Sequence, residues 1–291
     1  MMTIGCIGLG KMGVPIAERL IQAGHRVVAF NRSRGSVDRL AGLGATAAGS
    51  VEELAGEVEF LLTALPTPES VAEVYRRIAA NARPGLLCIE HSTVSPDMSR
   101  ECAADLAARG ASYVDAPVSG GPAGAEGGTL TVMVGGEEGA FERARPVLEA
   151  YGKNIRLCGP VGAGQAVKLV NQLLVAIHTA AIAEAAVLGE RLGADPGVVL
   201  DLIGTSFGAS AMLSRNLPRF ISRDFAPATP IDLIAKDLGL IHAEARGAGV
   251  PIPLGAQVEQ RFLEAAARGL GRLDMAALVQ LFEAAAGQGR E

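Results

Sequence analysis

The sequence predicts an α/β protein: an N-terminal Rossmann-type wound sheet, then an all-α C-terminal domain, joined by a long interdomain helix. Three observations carry this. Up to about residue 160, short apolar runs alternate with helix-like segments, the rhythm of a wound and mainly parallel sheet. From Gly162 the strand signals stop and helix-favouring residues dominate. Between the first strand and the first helix stands Gly8-Leu9-Gly10-Lys11-Met12-Gly13, a G-x-G-x-x-G that opens a βαβ unit of about 30 residues. The expected domains are 1–161, which binds a dinucleotide, and 162–291, which is helical and serves substrate binding and oligomerisation.

The elements follow in order. Strands are expected at Ile4–Ile7, Val27–Phe30, Phe60–Ala64, Leu86–Glu90, Tyr113–Asp115, Leu130–Val134 and Ile155–Cys158. Helices are expected between them at Val14–Ala23, Val37–Leu43, Val71–Ala80, Met98–Arg109 and Ala140–Tyr151. Thr129–Gly135 alternates between glycines, which points to antiparallel pairing there. Gln165–Leu192 contains no proline and predicts a helix about 40 Å long. It is apolar on nearly every face, so burial on most sides is expected. Its core, Leu173–Gly189, carries His178 and Glu184 and reads as a buried helix rather than a membrane span. Further helices are expected at Pro196–Gly204, Met212–Phe220, Ile231–Ala248, Leu254–Arg268 and Met275–Ala285, with the substrate in a cleft between the domains.

Composition narrows the function. The 291 residues are 49% hydrophobic and 20% charged, which suits a soluble protein with a large core. A net charge of −5 argues against nucleic acid or an anionic membrane as partner, and the absence of Trp argues against base-stacking platforms. Cys6, Cys88, Cys102 and Cys158 show no C-x-x-C pairing and read as free thiols in a reducing compartment. His25, His91, His178 and His242 lack metal-ligand spacing, so no metal is expected. No basic and apolar leader is visible, so the expected location is cytoplasmic.

Several motifs carry chemistry. In Gly8–Gly13 the first glycine permits a tight turn, the second a close approach of pyrophosphate, and the third close packing of helix on strand. After the second strand stands Asn31-Arg32-Ser33-Arg34, where an acidic residue would accept from the ribose 2′-OH of NAD. Two guanidiniums and a hydroxyl favour a 2′-phosphate, hence NADP(H), with NAD(H) as the other possibility. Lys168, Asn171 and Gln172 share one face of the long helix among apolar neighbours and need a polar partner, such as a carboxylate substrate. The other reading of Lys168 is a lysine that snorkels to solvent. Asp115-Ala116-Pro117-Val118-Ser119-Gly120-Gly121-Pro122 follows a strand and offers an anion-binding loop, or simply a glycine-rich turn. Leu65-Pro66 and Ser92-Thr93 fall at the carboxyl ends of strands, where ligands of such sheets bind, and Lys236-Asp237-Leu238 lies on a later helix.

On these residues the chain resembles the β-hydroxyacid dehydrogenase family over essentially its full length. That family includes the 3-hydroxyisobutyrate dehydrogenases, the tartronate semialdehyde reductases and the glyoxylate/succinic semialdehyde reductases. Its motifs occur in order: Gly8–Pro15, Asp115–Gly121, Gly162-Ala163-Gly164 leading to Lys168-Leu169-Val170-Asn171-Gln172, and Lys236-Asp237-Leu238. The resemblance implies that Lys168 is the general acid/base and Asn171 places the substrate. It implies that Ser119, Gly120 and Gly121 hold the substrate carboxylate. Leu65, Pro66 and Thr93 would then touch the cofactor, Lys236 would close over it, and Asp237 would support the site. Gln172 stands where the family often has a second Asn, which alters the contact made there. The 6-phosphogluconate dehydrogenases carry a His-Asn pair at that turn and are longer, so that substrate is not expected. The expected protein is an NADP(H)-preferring oxidoreductase of a short aldehyde acid, acting as a homodimer or homotetramer. An NAD-dependent 3-hydroxyisobutyrate dehydrogenase is the alternative, and a silent nucleotide sensor is disfavoured by the intact Lys168.

Overall fold

In the computed structural model, Met1–Gly287 are described; 288–291, the end of the expected helical domain, lie outside the described residues. The sheet region runs β1 (Thr3–Ile7), α1 (Gly13–Gln22), β2 (Arg26–Phe30), α2 (Arg34–Ala41), β3 (Thr46–Ala47), α3 (Val51–Glu57), β4 (Phe60–Thr63), α4 (Pro68–Asn81) and β5 (Leu87–Glu90). It continues with α5 (Pro96–Ala107), β6 (Ser112–Asp115), β7 (Val118–Ser119), α6 (Gly121–Glu126), β8 (Leu130–Gly135), α7 (Glu138–Leu148) and β9 (Gly152–Gly159). Every expected strand and helix is present, with ends shifted by a few residues. Four short elements were not expected: β3, α3, β7 and α6. β3 and β7 have two residues each, too few to show a period. α3 does carry a start signal, since Ser50 Oγ accepts from the Glu53 N–H. Gly and Pro mask α6.

The strands lie in the order β3-β2-β1-β4-β5-β6-β8-β7, with β9 paired to β8. β1 to β6 are mutually parallel. β8 is antiparallel to β6 and β7, as its alternation suggested, but parallel to β9. β4 and β5 are buried along their whole length, as befits central parallel strands covered by helices on both faces. Apolar cores fill both sides of the sheet: Ile4, Leu62, Ile89 and Tyr151 belong to one, Leu61, Ile78, Cys88 and Leu106 to the other. Strand order reverses between β1 and β4, which places the ligand crevice at their carboxyl ends.

Packing divides the chain into Met1–Lys168 and a unit that begins at Leu169, so the division falls inside α8 (Ala163–Arg191). The second unit continues with α9 (Pro196–Ile203), α10 (Ala211–Ser222), α11 (Ile231–Gly247), α12 (Pro253–Ala265) and α13 (Val279–Ala285). Its core gathers Ile231, Ile234, Leu238, Phe262 and Ala276–Leu278. The expected helix Leu254–Arg268 passes into a π turn at Ala266–Leu270, which holds Gly269 at φ 86°. The expected helix Met275–Ala285 opens as a 3-10 turn, Met275–Leu278.

The expectation that α8 is buried on most sides is not met. By length and composition alone α8 could cross a membrane, yet only 33% of its apolar window is buried, and Val167, Val170, Leu174 and Leu188 are exposed. The residues it hides include Gln165, Lys168, Gln172 and Thr179.

Candidate active site

The fold demands glycine at two positions of the glycine loop and not at the third. Gly8 has φ 88°, and a Cβ there would collide with the Ala64 carbonyl at the end of β4. A Cβ on Gly13 would collide with the Gly8 carbonyl. Gly10 is different: it is absent from the left-handed residues, and nothing lies within 4 Å of where its Cβ would be. The fold does not demand glycine there, and the bare backbone suits close approach of a pyrophosphate. No side chain caps α1, but the Val14 N–H donates to the Gly10 carbonyl at 3.1 Å and Pro15 has no N–H, so of the first three residues of the helix Gly13 is the one that can offer its N–H to a phosphate oxygen. Lys11 is exposed and Met12 half-buried in this turn. The observed geometry thus fits a dinucleotide.

Asn31 ties the end of β2 to this loop. Its Oδ1 accepts from the Leu9 N–H at 3.3 Å, and its Nδ2 donates to Ser33 Oγ at 2.9 Å. Arg32 is exposed, and α2 starts at Arg34 without a side-chain cap, the Ser33 hydroxyl facing Asn31 instead. Across the strand-order reversal, the Leu65 N–H donates to Ser92 Oγ at 2.7 Å. Pro66 is exposed and Thr93 half-buried beside them.

Lys168 is 8% exposed, and its Nζ donates to the Val118 carbonyl at 2.8 Å. This answers the need of a buried ammonium for a partner and brings it beside Ser119. Val118–Ser119 is a strand rather than a loop, with Ser119 opposite Thr131 of β8. It leads into Gly120 at φ 129° and Gly121 at φ 62°, backbone that only glycine adopts readily. Nothing lies within 4 Å of a Cβ built on Gly121, so its surroundings are open.

Four buried groups of this region were given no role of their own in the sequence reading, Asp115 standing there only as the start of the candidate loop. Asp115 faces inward: its carboxylate accepts from the Gly162 N–H at 2.7 Å and the Gln165 N–H at 2.8 Å, anchoring the start of α8. Burial pushes its pKa up despite these donors. The Gln165 side chain donates to the Ser92 carbonyl at 2.8 Å and accepts from the Val94 N–H at 3.2 Å. Glu90 ends β5 fully buried, and burial pushes its pKa up to about 7. A lone acid closing the apolar run Leu86–Ile89 was the signal for it. His91, seen before only as one of four scattered histidines, donates from Nδ1 to the Ala116 carbonyl at 2.6 Å, so its Nε2 accepts from Tyr151 OH at 2.9 Å. Burial lowers its pKa to about 4 and keeps it neutral.

In the second unit Asn171 Nδ2 donates to Gln172 Oε1 at 3.0 Å, and Gln172 Nε2 donates to Asp237 Oδ2 at 2.6 Å. Lys236 Nζ lies 2.8 Å from Asp237 Oδ1. Asp237 is therefore buried, with Gln172 and Lys236 as its side-chain partners. Among the described residues no three His, Cys, Asp or Glu side chains gather as a metal site.

A dinucleotide crevice beside a buried lysine and a hydroxyl-bearing glycine turn defines a nicotinamide-dependent oxidoreductase. The sequence matches the family described as the NAD binding domain of 6-phosphogluconate dehydrogenase over residues 3–159, and that described as NAD-binding of NADP-dependent 3-hydroxyisobutyrate dehydrogenase over 162–282. It is 40% identical to 2-(hydroxymethyl)glutarate dehydrogenase of Eubacterium barkeri, over 96% of this chain and 94% of that protein. It is 36% identical to NAD-dependent L-serine dehydrogenase of Pseudomonas aeruginosa, over 99% and 100%. The solved Mycobacterium tuberculosis 3-hydroxyisobutyrate dehydrogenase with L-serine superposes with a TM-score of 0.89 at 37% identity, covering 97% of this chain and 99% of that one. The chain belongs to the β-hydroxyacid dehydrogenase family and is an NAD(P)-dependent oxidoreductase acting on CH–OH groups.

Proposed function

We propose that this enzyme prefers NADP(H) and interconverts a short aldehyde acid and its hydroxy acid, with Lys168 as general acid/base. The observation that carries the reading is the Lys168 Nζ–Val118 O hydrogen bond, which holds the ammonium beside Ser119, Gly120 and Gly121. In this reading Ser119 and the two glycines bind the carboxylate, while Asn171 and Gln172 place the reacting end. A bound nicotinamide supplies or accepts hydride at the substrate carbon. Lys168 donates a proton to the developing alkoxide in reduction and takes the hydroxyl proton in oxidation. The preference for NADP(H) rests on Arg32, Ser33 and Arg34, with no carboxylate between β2 and Asp38 to repel a 2′-phosphate. In this reading Leu65, Pro66 and Thr93 touch the ribose and nicotinamide end of the cofactor, and Lys236 closes over it.

We also propose that the chain self-associates as a homodimer or homotetramer, supported by the exposed Val170, Leu174 and Leu188 of α8. Initial rates with NADPH and NADH, across a panel of short hydroxy acids and semialdehydes, test the reading. Faster turnover of 3-hydroxyisobutyrate with NADH would favour an NAD-dependent 3-hydroxyisobutyrate dehydrogenase instead, a reading whose substrate is the one in the name of the Mycobacterium tuberculosis enzyme and whose cofactor is the one in the name of the Pseudomonas aeruginosa relative.

A further inference from the structure

Glu90 is a buried acid that the chemistry above does not use. It is fully buried at the end of β5, opposite Thr63 at the end of β4. Thr63 Oγ1 donates to Glu90 Oε2 at 2.7 Å, and Tyr75 OH, from α4, lies 2.9 Å from Thr63 Oγ1. The other carboxylate oxygen, Oε1, accepts from the Ser92 N–H at 2.6 Å. Burying a carboxyl is costly, and an apolar residue would serve a strand packed on both faces better. What the acid gains is control of the backbone two residues on.

That backbone matters. Ser92, held through its N–H, presents its Oγ to the Leu65 N–H at 2.7 Å, linking the turn after β5 to the turn after β4. The Leu65 turn in turn abuts the glycine loop, since Ala64 and Leu65 are the neighbours a side chain on Gly8 would strike. The same Ser92 receives the Gln165 side chain at its carbonyl, from the helical turn just before Lys168. One carboxyl therefore sits under both turns that face the crevice.

We propose that Glu90 is a positioning residue for the nicotinamide end of the cofactor, its carboxyl group fixing the Ser92–Thr93 turn and, through Ser92 Oγ, the Leu65–Pro66 turn. The proposal rests on the reading of Leu65, Pro66 and Thr93 as cofactor contacts. Loss of Glu90 then disturbs the nicotinamide half of the site and spares the adenine half, which Gly8–Gly13 and Asn31–Ser33 serve.

The test compares a whole cofactor with its adenine fragment. Wild type, Glu90→Ala, Glu90→Gln and Ser92→Ala are titrated with NADPH and with 2′,5′-ADP, or with NADH and ADP if the wild type prefers NADH. Glu90→Ala and Ser92→Ala are expected to weaken the whole cofactor about tenfold, the effect of one lost hydrogen bond, and to leave the fragment within about twofold. Glu90→Gln retains an oxygen for the Ser92 N–H and an amide for Thr63, and restores binding. An equal loss for both probes, or no loss for either, overturns the positioning role. Should Glu90→Ala fail to fold, Ser92→Ala decides alone. A wild type that binds neither cofactor overturns the cofactor reading and this proposal together, whereas a binding wild type with unaltered variants sinks only the proposal.

Discussion

β4 and β5 bury every residue they have, whereas α8 hides Gln165, Lys168, Gln172 and Thr179 and leaves Val167, Val170, Leu174 and Leu188 exposed. Both regions are apolar in composition, so hydropathy alone does not separate them. In the sheet, position decides: a parallel strand between parallel neighbours is covered on both faces, and whatever it carries goes inside, Thr63 and Glu90 included. On the helix, partners decide. Gln165 meets Ser92 and Val94, Lys168 meets Val118, and Gln172 meets Asp237. Thr179 donates to the Val175 carbonyl and accepts from Asn216. The attached side of α8 thus joins these partnered polar residues to buried apolar ones such as Leu169, Ala176, Ala183 and Val187, while Val167, Val170, Leu174 and Leu188 are left for something else.

The contrast can be tested from its strongest consequence downward. Lys168→Ala removes the most chemically committed member of the polar side. Turnover is expected to fall by about 10²–10⁴, with cofactor affinity nearly unchanged. A kcat within a few-fold of wild type would take the proton-transfer role away from this side of α8.

At the end of β5, burial acts on two neighbours of opposite charge type. The pKa of Glu90 is raised from 4.5 to about 7, so the folded state binds the extra proton and stability falls as pH rises through that window. The pKa of His91 is lowered from 6.5 to about 4, so the unfolded state binds the extra proton and stability falls as pH drops through that window. Each contributes at most about 3 kcal/mol, and the slopes oppose between pH 4.5 and 6.5. Relative to wild type, Glu90→Gln should gain stability with rising pH there, and His91→Asn should lose it. Denaturant midpoints across this range measure both, and parallel curves for all three proteins would show that neither group titrates as its burial demands.

Arg32→Asp, beyond the end of β2, should weaken NADPH by about 1.5–3 kcal/mol and NADH far less. Equal changes in the two dissociation constants would show that Arg32 does not read the 2′ position. Leu174→Glu, on the exposed side of α8, should change single-chain stability by no more than about 0.5 kcal/mol while lowering the mass seen by light scattering. An unchanged mass would mean that this face does not join copies.

The contrast also explains what could be read from the sequence. Gly8–Gly13 was legible because the spacing of three glycines between a strand and a helix has few other uses. Lys168, Asn171 and Gln172 were legible as polar residues on a greasy helix. Their partners were not: Val118 acts through its backbone carbonyl, and Asp237 is 65 residues from Gln172. Glu90 and Asp115 were read as strand ends, since nothing local says that an acid at such an end turns inward. The exposed side of α8 could not be foreseen, because apolar composition predicts burial without saying by what.

The grip of Asp115 on the start of α8 has a practical edge for anyone wishing to cut this protein in two. Helices commonly find a cap in the residue just before them; here the capping carboxylate is 47 residues upstream of Gly162. A truncation at residue 161, where the composition changes, would keep all nine strands but delete Gly162 and Gln165. It would strand a buried carboxylate and free the Ser92 carbonyl. Ending the chain at Lys168 keeps both. The shortest fragment in which these groups retain their partners therefore stops inside a helix, and a protease seeking a natural seam at the change of composition meets backbone held in place.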